Sequence, residues 1–450
     1  MDWPTEDVVW TNNDLRAFNF AERPTTVLQK LESDTTVTKN ELLNEQDWED
    51  WFTNAPNENS GATELGVVLC TRAPPIFDDN APVSHVSVTR DTWEKIVKSF
   101  HVHRSVIRSI ARHVSCFSSI YRDEGTSTKS KIYFTARMSK LLPGDLALSV
   151  TYIPGTSSTF AVIYGCNEHQ KQEVEKRIRL AEDKTKYPLL IIGIFAELER
   201  ERLVENAEGL VDGFALTSNR FENEAWDASV HMSNEKTQGY LRLCAQSRNI
   251  TDQIRAVKRQ TLKLMGEIDE FNDYFASHKG EAYSGGADNS SKKARHFRKA
   301  GAQMKKRLQD IINEYDDKVD ECNMIVGNTT LAMQTVWNQI ARHDSELNTR
   351  IAQTNTVVSL EAKKEGTQMK LIALLTMVYL PFSSVAAIFS MDLFDWDPPE
   401  GKPVVSKFFW VFAVVAVGLT AITFFAWYQI TSRHELKASQ KAAKLHNTIV

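Results

Sequence analysis

Two long segments near the C-terminal end of this 450-residue chain contain no charged side chain. The first spans 21 residues between Lys370 and Asp392, and the second spans 25 residues between Lys407 and Arg433. A helix of the first length is about 30 Å long, which is the thickness of the hydrocarbon core of a bilayer. Uncharged runs of this length are rare in soluble folds, so the sequence predicts two transmembrane helices, with a buried helical hairpin as the alternative.

The charges around these segments predict how the chain crosses the membrane. Three lysines lie within the 20 residues before Leu371, and four basic side chains follow Ser432. The 16 residues between the two segments hold four acidic and two basic side chains. Because positive charge is retained on the cytoplasmic side, both chain ends are expected there and the short loop outside. The plasma membrane is the expected location, and the vacuolar membrane is the alternative.

The rest of the chain divides into three regions by composition and pattern. Residues 1–60 carry 13 acidic and 4 basic side chains without a sustained period, which predicts a disordered acidic tail over 1–62. Short β-rich runs alternate with helical patterns over 63–232, as in a mixed α/β cytoplasmic domain. From 233 to 368 the pattern is helical, which predicts a stalk with a flexible break at 280–291.

These patterns give the boundaries of individual elements. Strands of the α/β domain are predicted at Leu65–Cys70, Lys131–Arg137, Leu146–Ile153 and Thr159–Tyr164. Helices of that domain are predicted at Thr92–Val114, Glu168–Asp183 and Leu189–Val204. The transmembrane helices are predicted at 369–391 and 408–432, the acidic outer loop at 392–407 and a basic cytoplasmic tail at 433–450. The expected fold is therefore an α+β membrane protein with a cytoplasmic α/β domain, a long helical stalk and two C-terminal transmembrane helices.

The stalk carries a seven-residue repeat of apolar and small side chains. It includes Leu308, Ile312, Tyr315, Val319, Cys322, Val326, Thr329, Met333, Val336 and Ile340. Such a repeat is typical of a coiled-coil seam. A seam of this kind would bury little surface in a single chain, so it predicts association between copies.

Catalytic chemistry is not indicated by the sequence. The five cysteines are at least 46 residues apart and form no CxxC pair, which argues against a zinc ribbon or a disulfide scaffold. No Ser/His/Asp or Cys/His grouping suggests a nucleophile, so neither an enzyme nor a cofactor is expected. The formal net charge of −5 gives no reason to expect nucleic acid as a partner.

A basic run at the start of the stalk has two interpretations. It consists of Lys292, Lys293, Arg295, Arg298, Lys299, Lys305, Lys306 and Arg307. A solvated helix face is the favoured interpretation, and binding of lipid head groups or nucleic acid is the alternative.

The first apolar segment has one face that mixes apolar and hydroxyl side chains. The residues are Met369, Ile372, Thr376, Leu380, Ser383 and Ala387, and their spacing of three and four places them on one side of a helix. In a symmetric oligomer this stripe would line a pore with apolar constrictions and hydroxyl rings. The alternative is a two-helix anchor in which small residues only pack helices together.

The segment MKLIALLTMVYLPFSSVAAIFSMD, residues 369–392, follows a long helix and precedes an acidic loop and a second span. In this arrangement it resembles the CorA/ZntB family of divalent-cation transporters. The resemblance is strongest to a divergent fungal branch of that family. The stretches that carry it there are Phe389–Met391, Leu393–Trp396 and Val404–Trp410.

The resemblance implies a homopentamer in the lipid bilayer that transports Mg²⁺ or Zn²⁺. The first span would line the pore, the second would face lipid, and the cytoplasmic domain would sense intracellular Mg²⁺. The family has a Gly-Met-Asn motif at the outer end of the first span, where this chain has Ser390, Met391 and Asp392. Asp392 would hold a hydrated cation, and a ring of aspartates attracts cations more strongly than a neutral ring.

The outer loop adds three further carboxylates that would attract cations diffusely, Asp395, Asp397 and Glu400. Because the motif departs from the family pattern, a second function stays open. The chain would then be a transport-inactive relative that serves as a membrane-anchored scaffold or sensor.

Overall fold

The structure, a computed structural model, describes residues 10–34, 36–54, 63–72, 82–122, 130–223, 234–277, 287–389, 405 and 407–449. The chain forms two compact units, Met1–Asn338 and Gln339–Val450. The first unit contains a β-sheet covered by helices, and the second contains two apolar helical segments. The predicted α+β architecture of a sheet domain, a long helix and two apolar helices near the C-terminus is confirmed.

Nine strands form the sheets in the described part of the first unit. They are β1 Asn19–Phe20, β2 Thr25–Leu31, β3 Thr38–Leu42, β4 Thr63–Thr71, β5 His85–Val86, β6 Cys116–Arg122, β7 Lys131–Arg137, β8 Ala147–Ile153 and β9 Ser158–Cys166. Seven of them form one sheet in the order β3-β2-β4-β9-β8-β7-β6, and β1 pairs with β5. Of the described strand pairs in the large sheet, β4 and β9 alone are parallel, with Val68 opposite Val162.

Among the described residues, nine α-helices accompany the strands. They are α1 Asn12–Leu15, α2 Glu45–Asn54, α3 Arg90–Ser99, α4 Val106–Ala111, α5 Glu168–Ala181, α6 Leu190–Asn223, α7 Asn234–Ser277, α8 Ala287–Phe389 and α9 Phe409–Ile449. A 3₁₀ turn at Glu182–Lys186 follows α5. The predicted break at 280–291 lies partly outside the described residues, and α8 begins at Ala287.

Each face of the large sheet has its own apolar core. On β4, Val67 and Leu69 belong to one core, and Val68 and Cys70 belong to the other. This division follows from the alternation of side chains along a strand. The first core includes residues of α5, α6, α7 and α8, and the second includes residues of α1, α2, α3 and α4. Both faces are covered, so strands such as β4 are almost wholly apolar and were recognisable in the sequence.

The acidic N-terminal region differs from its prediction as a disordered tail. Residues 25–31 form β2, which pairs with β3 on one side and β4 on the other. Val27 and Leu28 are fully buried in opposite cores, and Trp48 of α2 is also buried. A strand buried on both faces lacks apolar–polar alternation, and this one is short and surrounded by acidic residues. Its signal in the sequence was therefore weak.

Two other elements depart from their predicted boundaries. The helix predicted at Thr92–Val114 is broken into α3 and α4, because His101 adopts a left-handed backbone with φ of 50°. The Thr151 hydroxyl donates a hydrogen bond of 2.9 Å to the His101 carbonyl and holds this turn against β8. Strand β6 at the sheet edge was not predicted.

The first half of the stalk seam packs inside its own chain. Leu308, Tyr315 and Cys322 are buried in the core that also contains β4 and the helices α6 and α7. The expectation that this seam stays uncovered in a single chain is therefore wrong for this half. A helical repeat reports that a face is apolar, but it does not identify the surface that covers it. Further along α8, Leu331 and Trp337 are exposed.

The close approach of α7 and α8 at Gly301 gives a test of this packing. A Cβ atom at Gly301 would lie 2.7 Å from Asn272 Nδ2 and 3.0 Å from Ile268 Cγ2. We expect Gly301→Ala to lower the free energy of unfolding by about 1–3 kcal/mol through overpacking. The measurement is thermal unfolding of the full chain in detergent, followed by tryptophan fluorescence. Gly266→Ala is the control: nothing lies within 4 Å there, and a gain of up to about 1 kcal/mol from helix propensity is expected.

A buried aspartate is expected to make the sheet domain sensitive to acid. Asp145 accepts hydrogen bonds from Arg72 at 2.7 Å and Arg137 at 2.5 Å. Burial raises the pKa of Asp145, but the charges of Arg137 and Arg72 outweigh burial, so the pKa lies below its usual value. A lowered folded-state pKa stabilises the protein above the unfolded-state pKa, and this contribution is lost as the pH falls through the folded-state value.

We therefore expect the melting temperature to fall as the pH drops below about 4, the usual pKa of an aspartate. Asp145→Asn should lower the melting temperature at neutral pH and flatten its dependence on acid. The measurement is thermal unfolding at a series of pH values. Asp252→Asn, at a side chain that is 74% exposed, is the control and should leave both quantities unchanged. An equally steep acid dependence in Asp145→Asn would contradict the assignment.

Candidate functional site

Two helical segments of the second unit have the length and composition of transmembrane helices. They are the C-terminal part of α8 and residues Phe409–Gln429 of α9. Only 11% of the most apolar window of each helix is buried. A core helix of a soluble protein would be mostly buried, so the alternative of a buried hairpin is not supported. This pattern indicates a membrane protein with two candidate spans.

One face of the first span is covered within the second unit. Pro381 and Val385 are buried, and the ring of Phe382 contacts that of Phe412 on α9 with centroids 5.9 Å apart. Ala416 of α9 is also buried. The first span therefore has a defined inner face, which packs toward the second span.

The structure places the six predicted pore-lining residues on the opposite side of this helix. Met369, Ile372 and Leu380 are 73%, 62% and 60% exposed, and the other three, Thr376, Ser383 and Ala387, are also exposed. At about 100° per residue, the stripe is centred roughly half a turn away from Val385. The described residues of the chain leave this stripe uncovered. Its function as a pore lining stays a prediction.

The hydroxyl groups of the stripe are oriented by the helix backbone. Thr376 donates to the Ile372 carbonyl at 2.9 Å, and Ser383 donates to the Leu380 carbonyl at 3.1 Å. A hydroxyl that donates into its own helix keeps its oxygen lone pairs as acceptors on the outer side. Such oxygens can accept hydrogen bonds from the water shell of a cation.

The predicted outer-mouth residues lie outside the described residues. They are the motif Ser390, Met391 and Asp392 and the loop carboxylates Asp395, Asp397 and Glu400. Within the part of the chain that the structure describes, no group of three His, Cys, Asp or Glu side chains could hold a metal ion. The predicted role of Asp392 as a metal-holding residue therefore stays untested.

The basic run at the start of α8 divides into two environments. Lys305 and Arg307 form surface ion pairs with Asp269 and Glu197, as expected for a solvated face. Lys293 instead is half-buried and lies 5.5 Å from the centroid of the Phe297 ring. The four-residue spacing of this pair was the available signal in the sequence, since residues four apart share a helix face. The interpretation of the basic run as a solvated helix face did not predict that Lys293 is half-buried beside Phe297.

Comparisons with known proteins give distant structural similarity only. No protein-family model matches the chain, and no curated protein sequence matches it. The structure of the full-length CmaX protein is 11% identical, covering 91% of this chain and 98% of that chain, with a TM-score of 0.35. The complete CorA magnesium transporter from Methanocaldococcus jannaschii is 10% identical, covering 89% of this chain and 96% of that chain, with a TM-score of 0.29. Similarity at this level gives no information about the ion or the mechanism.

Proposed function

We propose that the chain is a membrane transporter or channel that moves divalent cations through a homo-oligomeric pore. The observation that carries the proposal is the uncovered stripe from Met369 to Ala387, which lies opposite the buried face of the first span. Two helices cannot enclose an ion path, so the stripe can line one only when several copies assemble. A pentamer in lipid is the expected assembly, with Mg²⁺ as the first ion to test and Zn²⁺ as the second.

The stripe suggests how such a pore would control conduction. Leu380 lies one helical turn from Thr376 and about one turn from Ser383, so its ring would form an apolar constriction between two hydroxyl rings. A narrow apolar constriction excludes water and closes the path to hydrated ions, whereas hydroxyl oxygens favour them. An inside-negative potential of about 100 mV would supply about 4.6 kcal/mol per divalent ion. Entry into the cytoplasm would then need no nucleotide.

A second function is favoured by the departure at the outer end of the first span. Ser390 and Asp392 stand where the family that the sequence resembles has glycine and asparagine. Aspartate rings bind a cation more strongly and would slow its release. The alternative proposal is a transport-inactive scaffold or sensor that is anchored by the same two spans.

The experiment that separates these proposals uses the purified chain in liposomes loaded with a dye for Mg²⁺ or Zn²⁺. Under the transporter proposal, divalent-cation flux exceeds that of empty liposomes and depends on the membrane potential. Light scattering, with the detergent mass subtracted, reports the oligomer in parallel. An intact oligomer without flux would overturn the transporter proposal and favour the scaffold.

Asp392 gives a specific test of cation capture at the outer mouth. We expect Asp392→Ala to lower flux by about tenfold at low ionic strength, because the carboxylate ring no longer concentrates cations. Asp392→Asn should retain more flux than the alanine variant, because the amide still binds the ion's water shell. Unchanged flux in Asp392→Ala would remove this residue from the mechanism. If Asp392→Ala keeps its flux at low salt and loses it only at high salt, the attraction comes instead from Asp395 and Asp397, whose diffuse field salt screens.

A further inference from the structure

A polar cavity of about 610 Å³ lies at one end of the sheet in the first unit. Its wall is built from segments that are far apart in the sequence: the start of β4, the β8–β9 turn, the 3₁₀ turn and the start of α8. The sequence-based interpretation of the basic run did not anticipate it. None of its lining residues belongs to the two predicted spans, 369–391 and 408–432.

The cavity gathers hydrogen-bond donors, three of which are lysine ammonium groups. Lys186, Lys292, Lys293 and His296 contribute nitrogen groups, and Ser157 contributes a hydroxyl. The Lys293 ammonium donates a hydrogen bond to Ser157 Oγ, and its nitrogen lies 5.5 Å from the centroid of the Phe297 ring. This ammonium is therefore held at the cavity wall, which lowers the entropy cost of binding an anion there.

Three carboxylates also line the cavity, but one of them already forms an ion pair with a lysine of the protein. Glu64 forms a buried ion pair of 3.1 Å with Lys30, accepts a hydrogen bond from Thr185 and lies at a longer 4.0 Å from the Lys186 ammonium. With Lys30 included, four lysines stand against the three carboxylates Glu32, Glu64 and Asp183. The cavity therefore has a local excess of positive charge.

We propose that this cavity binds a phosphate-bearing small molecule of about nucleotide size. Several ammonium and hydroxyl donors that converge from different elements suit the oxygens of a phosphate group, and lysine is a common phosphate-binding residue. The volume lies within the range of about 300–1,000 Å³ that is usual for small-molecule sites. Inorganic phosphate would leave most of this space empty, so the ligand carries a larger body or a second phosphate.

The electrostatics of Lys293 agree with this assignment. Burial lowers the pKa of Lys293 to about 8, the charge of Glu32 raises it, and the charge of Lys186 lowers it. Two ammonium groups that repel each other across a cavity are both stabilised by an anion placed between them.

The test is isothermal titration calorimetry of the full chain in detergent with EDTA present, using ADP, pyrophosphate and succinate as probes. We expect ADP or pyrophosphate to bind, with succinate at least tenfold weaker. Tighter binding of ADP than of pyrophosphate would identify a nucleotide, and the reverse order would identify an inorganic polyphosphate. No binding of either phosphate probe, or succinate binding as tightly as they do, would overturn the proposal.

Variants of the wall assign the binding to this cavity. Lys186→Ala and Lys293→Ala should each weaken the phosphate probe about tenfold, because each removes a charged hydrogen-bond donor. Glu32→Gln should tighten it, since a nearby negative charge is removed. Lys299→Ala is the matched control, an exposed lysine on the same helix that does not line the cavity, and should have no effect.

The side chain of Lys186 is 55% exposed, so its variant should fold even if Lys293→Ala does not. Unchanged affinity in Lys186→Ala and Glu32→Gln would overturn the assignment.

Discussion

Replacing Leu380 with serine is expected to raise the passive leak of divalent cations through the assembled protein by at least about tenfold. The ring of Leu380 side chains would otherwise exclude water from the pore between the hydroxyls of Thr376 and Ser383. Lowering the barrier at this constriction by about 1.4 kcal/mol is enough for a tenfold change in rate. The measurement is dye-reported flux in liposomes at zero and at 100 mV applied potential, with the oligomer checked by light scattering.

Leu375→Ser is the matched control for this prediction. Leu375 and Leu380 lie on the same helix and are 61% and 60% exposed in the single chain. Leu375 lies on the flank of the helix, outside the stripe from Met369 to Ala387, so its change should not open the path. Equal leak in both variants would show that any added hydroxyl loosens the helix packing. No added leak in Leu380→Ser, with the oligomer intact, would contradict its position at the constriction.

Replacing Arg202 with methionine is expected to lower the melting temperature of the full chain by on the order of 10 °C. Arg202 of α6 forms a buried ion pair with Glu199, with the closest atoms 2.6 Å apart. Its guanidinium also donates to the carbonyls of Ser139 and Leu142 at 3.1 and 2.9 Å. Removing one partner of a buried pair leaves the other charge unpaired, which costs about 3–5 kcal/mol.

The protonation of Glu199 gives this prediction a second readout. Burial raises the pKa of Glu199, and Arg202 opposes that rise. Without Arg202 the carboxyl is expected to be protonated in the folded state at a higher pH. When the folded-state pKa of a group is raised, its contribution to the stability of the protein is fully present below the unfolded-state pKa. That contribution is lost as the pH rises through the folded-state pKa. The destabilisation should therefore be larger at pH 8 than at pH 5.

The double variant Arg202→Met, Glu199→Gln should recover part of the loss, because no buried charge then remains unpaired. Arg179→Met, which breaks a partly exposed pair with Glu175, is the control and should cost less than about 1 kcal/mol. A loss in Arg202→Met as small as in this control would contradict the structural role of the buried pair.

The parts of the fold that sequence patterns predicted correctly are those that depend on local composition. The strand at Lys131–Arg137 has the predicted bounds, and those predicted at Leu65–Cys70 and Thr159–Tyr164 differ by one or two residues. Each is a short apolar or β-branched run, and such a run favours a strand wherever it is covered on both faces. The residues that share the exposed face of the first span could also be predicted from the sequence, since helical spacing alone places Ile372, Thr376 and Leu380 on one side.

Patterns failed where a segment's identity depended on its partner. Val27 and Leu28 lie in an acidic region, and they form a strand because β2 pairs with β3 on one side and β4 on the other. Leu308 and Tyr315 belong to a regular apolar repeat, but only the folded unit shows that this repeat is covered by its own chain. Lys293 and Lys186 are 107 positions apart and meet at one cavity only because α8 packs beside the 3₁₀ turn.

The sequence by itself determined that this chain has two apolar helices of membrane-spanning length, a sheet domain and a long connecting helix, because each depends on the composition and period of a continuous segment. The tertiary structure decided what covers each apolar face and which charges are buried together, as with Arg202 and Glu199 or Lys30 and Glu64. The physical reason is the range of the interactions. Hydrophobic periodicity is a property of neighbouring residues, whereas burial and charge pairing depend on residues that only folding brings into contact.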